Sequence, residues 1–142
     1  MLSQNVLFVG ESTGDDPCEH PLGEGIAQRI ANSLREQGFL PGSIDNWRDC
    51  GWSIELLLGQ AVLEIGLAAT AEPKLWMLQV ACLNQPGFLA RLFGAKKLDC
   101  SKELFEVASA IHRALVSAGY AEIRWRVDGY PDDGDNSREP RQ

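Results

Sequence analysis

Residues 50–82 are the most apolar part of the chain, and hydrophobic side chains recur there at every second position. Ser53 and Glu55 alternate with the apolar side chains of the first run, which are Trp52, Ile54, Leu56 and Leu58. Because successive side chains of a β-strand point to opposite faces of a sheet, this period of two predicts strands with one buried face. The carboxylates of Glu55 and of Glu64 in the next run indicate that the other face meets water.

Two breaks divide this region into three antiparallel strands. Gly59 and Gln60 form a two-residue break that is typical of a tight hairpin, since glycine accepts a positive φ without steric clash. Residues 71–74 form the second turn and contain a proline. The third run, residues 75–83, is apolar on both faces apart from Gln79, which is typical of a central strand. The pattern therefore predicts a β-meander.

Two segments with a helical repeat of apolar side chains flank the meander. The first runs from residue 22 or 25 to residue 37, and its apolar stripe consists of Ile26, Ala27, Ile30, Ala31 and Leu34. The second starts near Ser101, which we expect to cap the helix, and its stripe consists of Leu104, Ala108, Ile111, Leu115 and Ala118. Both end in a glycine followed by an aromatic residue, a common signal for the end of a helix.

One strand is predicted before the first helix and one after the second. Residues 6–10 are a short apolar run that ends in glycine, and residues 121–128 alternate between apolar and charged side chains. We interpret residues 40–49 as a connector. The order β-α-β-β-β-α-β predicts an α+β fold, a two-layer sandwich in which two helices pack on one face of a largely antiparallel five-stranded sheet. The order of the strands within the sheet stays open.

The chain has 142 residues, the usual size of one domain with one hydrophobic core. We expect a single α+β domain over residues 1–128 and a disordered acidic C-terminal tail over residues 129–142, because the tail is polar and has no apolar period. No window is apolar over the ~18–20 residues that span a membrane, and the N-terminus does not have the pattern of a secretory signal. These features predict a cytoplasmic protein.

The formal net charge of −7 argues against nucleic-acid binding, since contacts to phosphates require clustered lysine and arginine. We expect the widely spaced cysteines Cys18, Cys50, Cys82 and Cys100 to be free thiols, because cytosolic cysteines stay reduced. His112 has no identifiable partner for acid–base chemistry and is interpreted as a histidine at the helix–sheet boundary. Since glycine motifs for nucleotide phosphates are also absent, no catalytic residue and no cofactor are predicted, and enzymatic activity is disfavoured.

One loop nevertheless carries side chains that could bind a ligand. Cys18 and His20 are potential metal ligands, and Asp15, Asp16 and Glu19 flank them. A structural zinc site requires four ligands, usually in local pairs, and a second pair does not follow from the sequence. A metal- or small-ligand-binding protein, or an enzyme that uses this loop, is therefore the alternative interpretation.

The insertion after the meander, residues 84–99, combines apolar and basic side chains in an otherwise acidic protein. The candidate partner-binding residues within it are Phe88, Leu89, Arg91, Leu92, Phe93, Lys96 and Lys97. Such a cluster is typical of a docking site for another protein. A membrane surface would hold so short a segment only weakly. The opposing interpretation is that the segment folds back over the open side of the sheet, since large apolar residues are usually buried.

These residues favour a small cytoplasmic protein-binding module without catalytic activity, whose partner is another protein. An immunity protein that neutralises a basic toxin is a narrower version, which the small size and the acidity permit. An edge strand is a second candidate interface and would support a homodimer. Trp125 lies there between Arg124 and Arg126, although alternating arginines are equally typical of an edge protected against pairing.

Overall fold

The computed structural model describes residues 2–15, 21–96, 98–131 and 135–142. The elements within these residues are β1 (Ser3–Val9), α1 (Glu24–Glu36), β2 (Pro41–Trp47), β3 (Gly51–Leu58), β4 (Ala61–Ala69), β5 (Leu75–Cys82), α2 (Phe88–Leu92), α3 (Ser101–Ser117) and β6 (Ala121–Val127). The strands form one antiparallel sheet in the order β2-β3-β4-β5-β1-β6. Since α1 and α3 bury their apolar faces in the same core as one face of this sheet, the predicted two-layer α+β sandwich is confirmed.

The meander of β3, β4 and β5 forms as the alternation predicts. β3 and β4 are joined by the two-residue turn, with Leu58 paired to Ala61. One side-chain set from the three strands enters the core and consists of Trp52, Ile54, Leu56, Leu63, Ile65, Leu67, Trp76, Leu78 and Val80. Full burial of a large apolar side chain contributes roughly 1.5–3 kcal/mol. This set is therefore a major source of the stability of the fold.

The first strand lies inside the sheet, between β5 and β6. Val6 and Phe8 of β1 are fully buried beneath the helices. The strand begins at Ser3, earlier than its apolar run predicts, because pairing with β5 satisfies the backbone of the polar residues Ser3 to Asn5. β6 pairs with β1 and forms one edge of the sheet, and β2 forms the opposite edge.

The structure adds two elements to the predicted order. Residues 40–49, interpreted as a connector, contain β2, so the sheet has six strands and not five over the described residues. Pro41 is the first residue of β2, and the side chains of this strand do not alternate between apolar and polar. The strand therefore forms through its pairing with β3, in which Ile44 lies opposite Ile54. The short helix α2 in the insertion brings the helices of the described chain to three.

Both long helices end as the sequence predicts. Gly38 and Gly119 follow them with φ of 93° and 79°, values that a glycine adopts without strain. In each case the amide of the next aromatic residue, Phe39 or Tyr120, donates to a carbonyl five residues earlier, at 3.0 and 3.1 Å. These bonds satisfy carbonyls that would otherwise be left free at the helix ends.

The start of α3 differs from the expectation. Ser101 is the first helical residue and not the cap. The side chain of Asp99 takes the capping role, since its Oδ1 accepts hydrogen bonds from the backbone N–H of Ser101 at 3.1 Å and from its hydroxyl at 2.6 Å. A carboxylate at this end is also favoured by the helix dipole.

The last described residues, 135–142, return along the outer edge of β6. Trp125 and Ser137 exchange two backbone hydrogen bonds of 2.7 and 2.9 Å. The side-chain amide of Gln4 donates to the carbonyl of Arg141 at 2.6 Å. This part of the tail therefore contacts both β6 and β1, while the division into a domain of residues 1–128 and a disordered tail of residues 129–142 stays a prediction.

Gly25 at the start of α1 allows the backbone of Thr13 to approach the helix. A Cβ at position 25 would overlap the carbonyl oxygen of Thr13. Glycine-to-alanine exchange normally stabilises a helix by about 1 kcal/mol. Here we expect the overlap to reverse that sign, so that Gly25→Ala lowers the free energy of unfolding by about 1–3 kcal/mol in urea titrations. Gly87→Ala, with nothing within 4 Å of the added carbon, is the control; equal losses from both variants would contradict the prediction.

Candidate functional site

Two side-chain amides attach the insertion to the end of the sheet. Asn84 accepts a hydrogen bond from the backbone N–H of Val62 at 3.0 Å and donates one to the carbonyl of Gln60 at 2.7 Å. Gln85 pairs in the same way with Leu98, donating to its carbonyl at 2.7 Å and accepting from its N–H at 3.1 Å. Each amide imitates one pair of a β-ladder. We call Asn84 and Gln85, together with Leu98, the stem, because their hydrogen bonds fix both ends of the insertion.

Two buried thiols lie against the stem. The Gln85 Nε2 atom is 3.5 Å from the sulfur of Cys82 and 3.4 Å from that of Cys100. Burial, followed by the hydrogen bond and the charge of Cys82, raises the pKa of the Cys100 thiol to about 12. The thiol therefore stays protonated and is a poor nucleophile. Cys82 and Cys100, like the exposed Cys50, are free in the structure.

The tip of the insertion, residues 88–93, is exposed. Phe88 has 75% of its surface accessible and Phe93 has 89%, and Leu89 and Leu92 are comparably open. The four side chains fall within one arc of the helical turn, and α2 has no buried residue. A five-residue helix between Pro86 and Gly94 is too short to bury an apolar face by itself. In the structure the tip is therefore not folded back onto the sheet.

The insertion also carries positive charge, within the tip and directly after it. Arg91 and Lys96 are exposed, and Lys97 lies outside the described residues. The sequence has no carboxylate between residues 84 and 98. Phe88, Arg91, Leu92 and Ala95 line an open concavity of about 470 Å³, so apolar and cationic groups share one surface. Such a surface fits a partner that offers both apolar area and carboxylates.

A second exposed apolar feature lies at the same end of the sheet, on the face opposite the helices. Leu57 pairs with Val62, and the carbonyl of Val62 accepts a hydrogen bond from the N–H of Leu83 at 2.7 Å. These three residues form one row across β3, β4 and the end of β5, which we call the apolar row. Leu57 is 66% exposed and Leu83 is about half exposed. In the neighbouring row, Glu55 lies opposite Glu64.

The alternative ligand loop is only partly described. Asp15 accepts hydrogen bonds from the backbone N–H groups of Gly23 at 2.9 Å and Gly25 at 3.1 Å, and from the hydroxyl of Ser12 at 2.9 Å. Because Gly23 has no side chain to cap α1, the carboxylate of Asp15 takes that role. The prediction of a ligand site stays untested at the other candidates, which lie outside the described residues: Asp16, Cys18, Glu19 and His20.

His112 is engaged with the core. The indole N–H of buried Trp125 donates to its Nδ1 atom at 3.2 Å, so the neutral ring carries its proton on Nε2. Burial lowers the pKa of His112; the carboxylate of Glu139 raises it and the charge of Arg113 lowers it, both to a smaller extent. These contacts agree with a histidine at the helix–sheet boundary.

The predicted strand interface at Trp125 is occupied. Both backbone groups of Trp125 that face outward are paired with Ser137. Arg126 lies 3.9 Å from the carboxylate of Asp135 and donates to the carbonyl of Tyr130 at 3.5 Å. With the tail in place, a strand from a second copy has no access to this point of β6. The prediction of a homodimer through an edge strand therefore stays open only for β2 and the rest of β6.

Two features, a cluster of metal-binding side chains and a membrane-spanning helix, are absent from the described part of the chain. No three histidine, cysteine, aspartate or glutamate residues among residues 2–15, 21–96, 98–131 and 135–142 are placed to hold a metal ion. Over the same residues, no helix is both long and apolar enough to cross a membrane.

Sequence reasoning missed the stem and the apolar row. Asn84 and Gln85 look like ordinary loop residues, because their partners lie up to 24 positions away and are brought close only by the fold. The apolar row did leave a signal. Leu57 is an apolar residue at a position of the first meander strand where the alternation calls for a polar one. Such an exception is worth examining as a binding surface.

Gln85→Ala removes both hydrogen bonds to Leu98. We expect the free energy of unfolding to fall by about 1–3 kcal/mol, because the backbone groups of Leu98 lose their partner in a partly buried place. We also expect amide hydrogen exchange of Leu98 to become faster. Gln28→Ala is the control, since it removes a hydrogen bond of 3.0 Å to Asn32 on the exposed face of α1. An unchanged exchange rate at Leu98 would show that Gln85 does not hold the stem.

His112 makes stability depend on pH. The unfolded chain takes up a proton near the ordinary histidine pKa of 6.5, whereas the folded chain, with its lowered pKa, takes it up only at lower pH. The contribution of neutral His112 is therefore complete above pH 6.5 and is lost as the pH falls through that value towards the folded pKa. Urea titrations from about pH 7.5 to about pH 5.5 should show this decrease.

His112→Gln should flatten this pH dependence, because glutamine does not titrate. His20→Gln is the matched control, since the chain has only two histidines. A loss of stability at low pH that persists in His112→Gln and disappears in His20→Gln would assign the pH dependence to His20 and contradict the prediction.

Comparisons with protein-family models, with curated proteins and with solved structures found no match to this chain. The candidate site is accordingly defined by the chain's own geometry, as an apolar and cationic tip on a stem that side-chain amides fix to the end of the sheet.

Proposed function

We propose that this chain is a soluble, cytoplasmic protein-binding module without catalytic activity, and that residues 86–97 dock on a partner protein. The observation that carries the proposal is the exposure of Phe88, Leu89, Leu92 and Phe93 on a fixed stem. Contiguous apolar side chains of this size are uncommon on the surface of a monomer and often mark an interface. Phenylalanine and arginine are also enriched in protein–protein interfaces.

Burial of the tip on a partner would offset much of the free-energy cost of association. Full burial of its four large side chains would contribute roughly 6–12 kcal/mol in total. Association itself costs about 4–15 kcal/mol in lost translational, rotational and side-chain freedom. Because the stem bonds at Asn84 and Gln85 already hold both ends of the insertion, less of the loop has to be ordered on binding. The two ranges overlap, so burial of the tip offsets the cost of association in part and other contacts of the interface supply the rest.

The charges indicate which partner surface fits. Arg91, Lys96 and Lys97 are positive, while the chain as a whole has a formal charge of −7. A carboxylate-bearing apolar groove on a protein would attract the tip locally and accept its apolar side chains. An extended anionic surface, such as a membrane or a nucleic acid, would repel the rest of this acidic chain. These considerations favour a protein over a lipid or a nucleic acid.

The narrower and the alternative functions find less support among the described residues. A neutraliser of a basic toxin would bind through the acidic remainder of the chain and not through the cationic tip. The ligand or enzyme function would use the loop around Cys18 and His20, and the one described carboxylate of that loop, Asp15, is engaged in capping α1. We therefore place the function at the tip.

The test is capture of the partner by purified protein from the lysate of the native cell, followed by identification and a direct affinity measurement. Leu92→Asp with Phe93→Asp should weaken binding by at least about tenfold, because two apolar anchors become charged. Leu40→Asp is the matched control, since Leu40 is 85% exposed outside the segment. It should bind like the wild type.

Circular dichroism of all three proteins shows whether the fold is intact. A folded double variant that keeps the affinity of the wild type would refute the assignment of the site. A captured protein that binds through an apolar surface without carboxylates, with an affinity insensitive to salt, would refute the role of the cations.

A further inference from the structure

We infer that the protein partner is a second copy of this chain, in a twofold dimer where residues 86–96 of each protomer dock on the apolar row and the adjacent carboxylates of its partner. The inference rests on the proposed function, because it names the surface that the tip binds. It requires that one chain carry both complementary surfaces, that they lie at the same end of the sheet, and that neither is covered within its own protomer.

The apolar row supplies the matching apolar surface. Leu57 and Leu83 are exposed large side chains beside the half-buried Val62, on the face of the sheet that lacks the two long helices. The two exposed leucines flank Val62 of β4 and form with it a flat strip about two strand spacings wide, which is roughly 10 Å. Phe88 or Phe93 of a second protomer can cover such a strip and be covered by it.

The row of carboxylates beside this strip supplies the matching charge. Glu55 and Glu64 lie directly opposite each other on β3 and β4. Like charges in directly opposed positions of an antiparallel pair destabilise a sheet. Arg91 or Lys96 from a second protomer would offset that repulsion when it reaches the two glutamates. The cationic tip and the acidic row are therefore complementary in sign as well as in hydrophobicity.

The stem places the two surfaces at the same end of the sheet. Asn84 bonds to Val62, a member of the apolar row, and to Gln60 in the turn that follows Leu57 by three positions. The tip thus leaves the sheet at the end where the apolar row lies. A twofold dimer uses the same patch on both subunits, with each half contacting the other half of the partner's patch. One end of the sheet carries both a cationic apolar tip and an acidic apolar row, so each can contact the other on the partner.

The exposure of both surfaces shows that the contact is not made within one protomer. Leu57 remains 66% exposed and Phe93 89% exposed in the single chain. Asn84 follows Leu83 directly, and the hydrogen bonds of Asn84 and Gln85 hold the tip away from the apolar row of its own protomer. Contact between the two surfaces then occurs between molecules, where two equal copies of it form at once.

The experiment is sedimentation velocity of the full chain over a wide concentration range, with four proteins. Wild type and the control Leu40→Asp should form a dimer. Leu92→Asp with Phe93→Asp, in the tip, and Leu57→Asp, in the apolar row, should each weaken the dimer at least about tenfold.

A mixture of the two weakened variants gives a sharper test. The tip variant keeps an intact row and the Leu57→Asp variant keeps an intact tip, so one mixed dimer contains one of the two original contacts. The mixture should therefore associate more strongly than either variant alone and less strongly than the wild type. A tip that binds an unrelated protein would not produce this complementation.

Several results would overturn the inference, and they differ from failure of the proposed function. A wild type that stays monomeric while its tip captures another protein refutes the dimer and leaves the proposed function standing. A dimer that survives both variants places the interface elsewhere, for instance on β2. A wild-type monomer that captures no protein but sediments with anionic phospholipid vesicles, through Arg91 and Phe93, refutes the inference and the proposed function together.

Discussion

Burial of one face of an antiparallel sheet beneath two helices holds this fold together, and the location of every exposed group depends on it. Leu63, Ile65 and Leu67 of the interior strand β4 are almost inaccessible to solvent in this layer. A two-layer architecture has only one such interior. The opposite face and the ends of the sheet therefore keep solvent-facing side chains. Packing in the core does not account for the apolar side chains that are exposed there.

The sequence predicts those elements whose side chains follow a strict period. The meander and both long helices have a clear repeat, and their observed bounds lie close to the predicted ones. β2 has no such repeat, since it starts at Pro41 and is stabilised by its pairing with β3. The order of the strands also lies beyond sequence periodicity, because it depends on which partners satisfy the backbone of β1 on both sides.

The composition of the candidate site was evident from the sequence, whereas its geometry was not. Phe88 to Phe93 are recognisable as an apolar cluster, but their exposure depends on how Gln85 meets Leu98 across the insertion. Asp15 shows the converse, since a carboxylate in a loop with potential metal ligands proves to cap a helix that begins nine positions later. Such long-range hydrogen bonds have no periodic signature in a sequence.

The pairing of Ser137 with Trp125 has a consequence for the integrity of the protein. Open strand edges add strands from other molecules and lead to aggregation. Proteolytic loss of the residues after 134 would leave the backbone N–H and carbonyl of Trp125 without their partners from the tail. It would also expose the indole contact with His112 to water along the released edge. The C-terminal residues therefore protect the edge strand β6 from pairing with other molecules, and a chain truncated by proteolysis would be prone to aggregate.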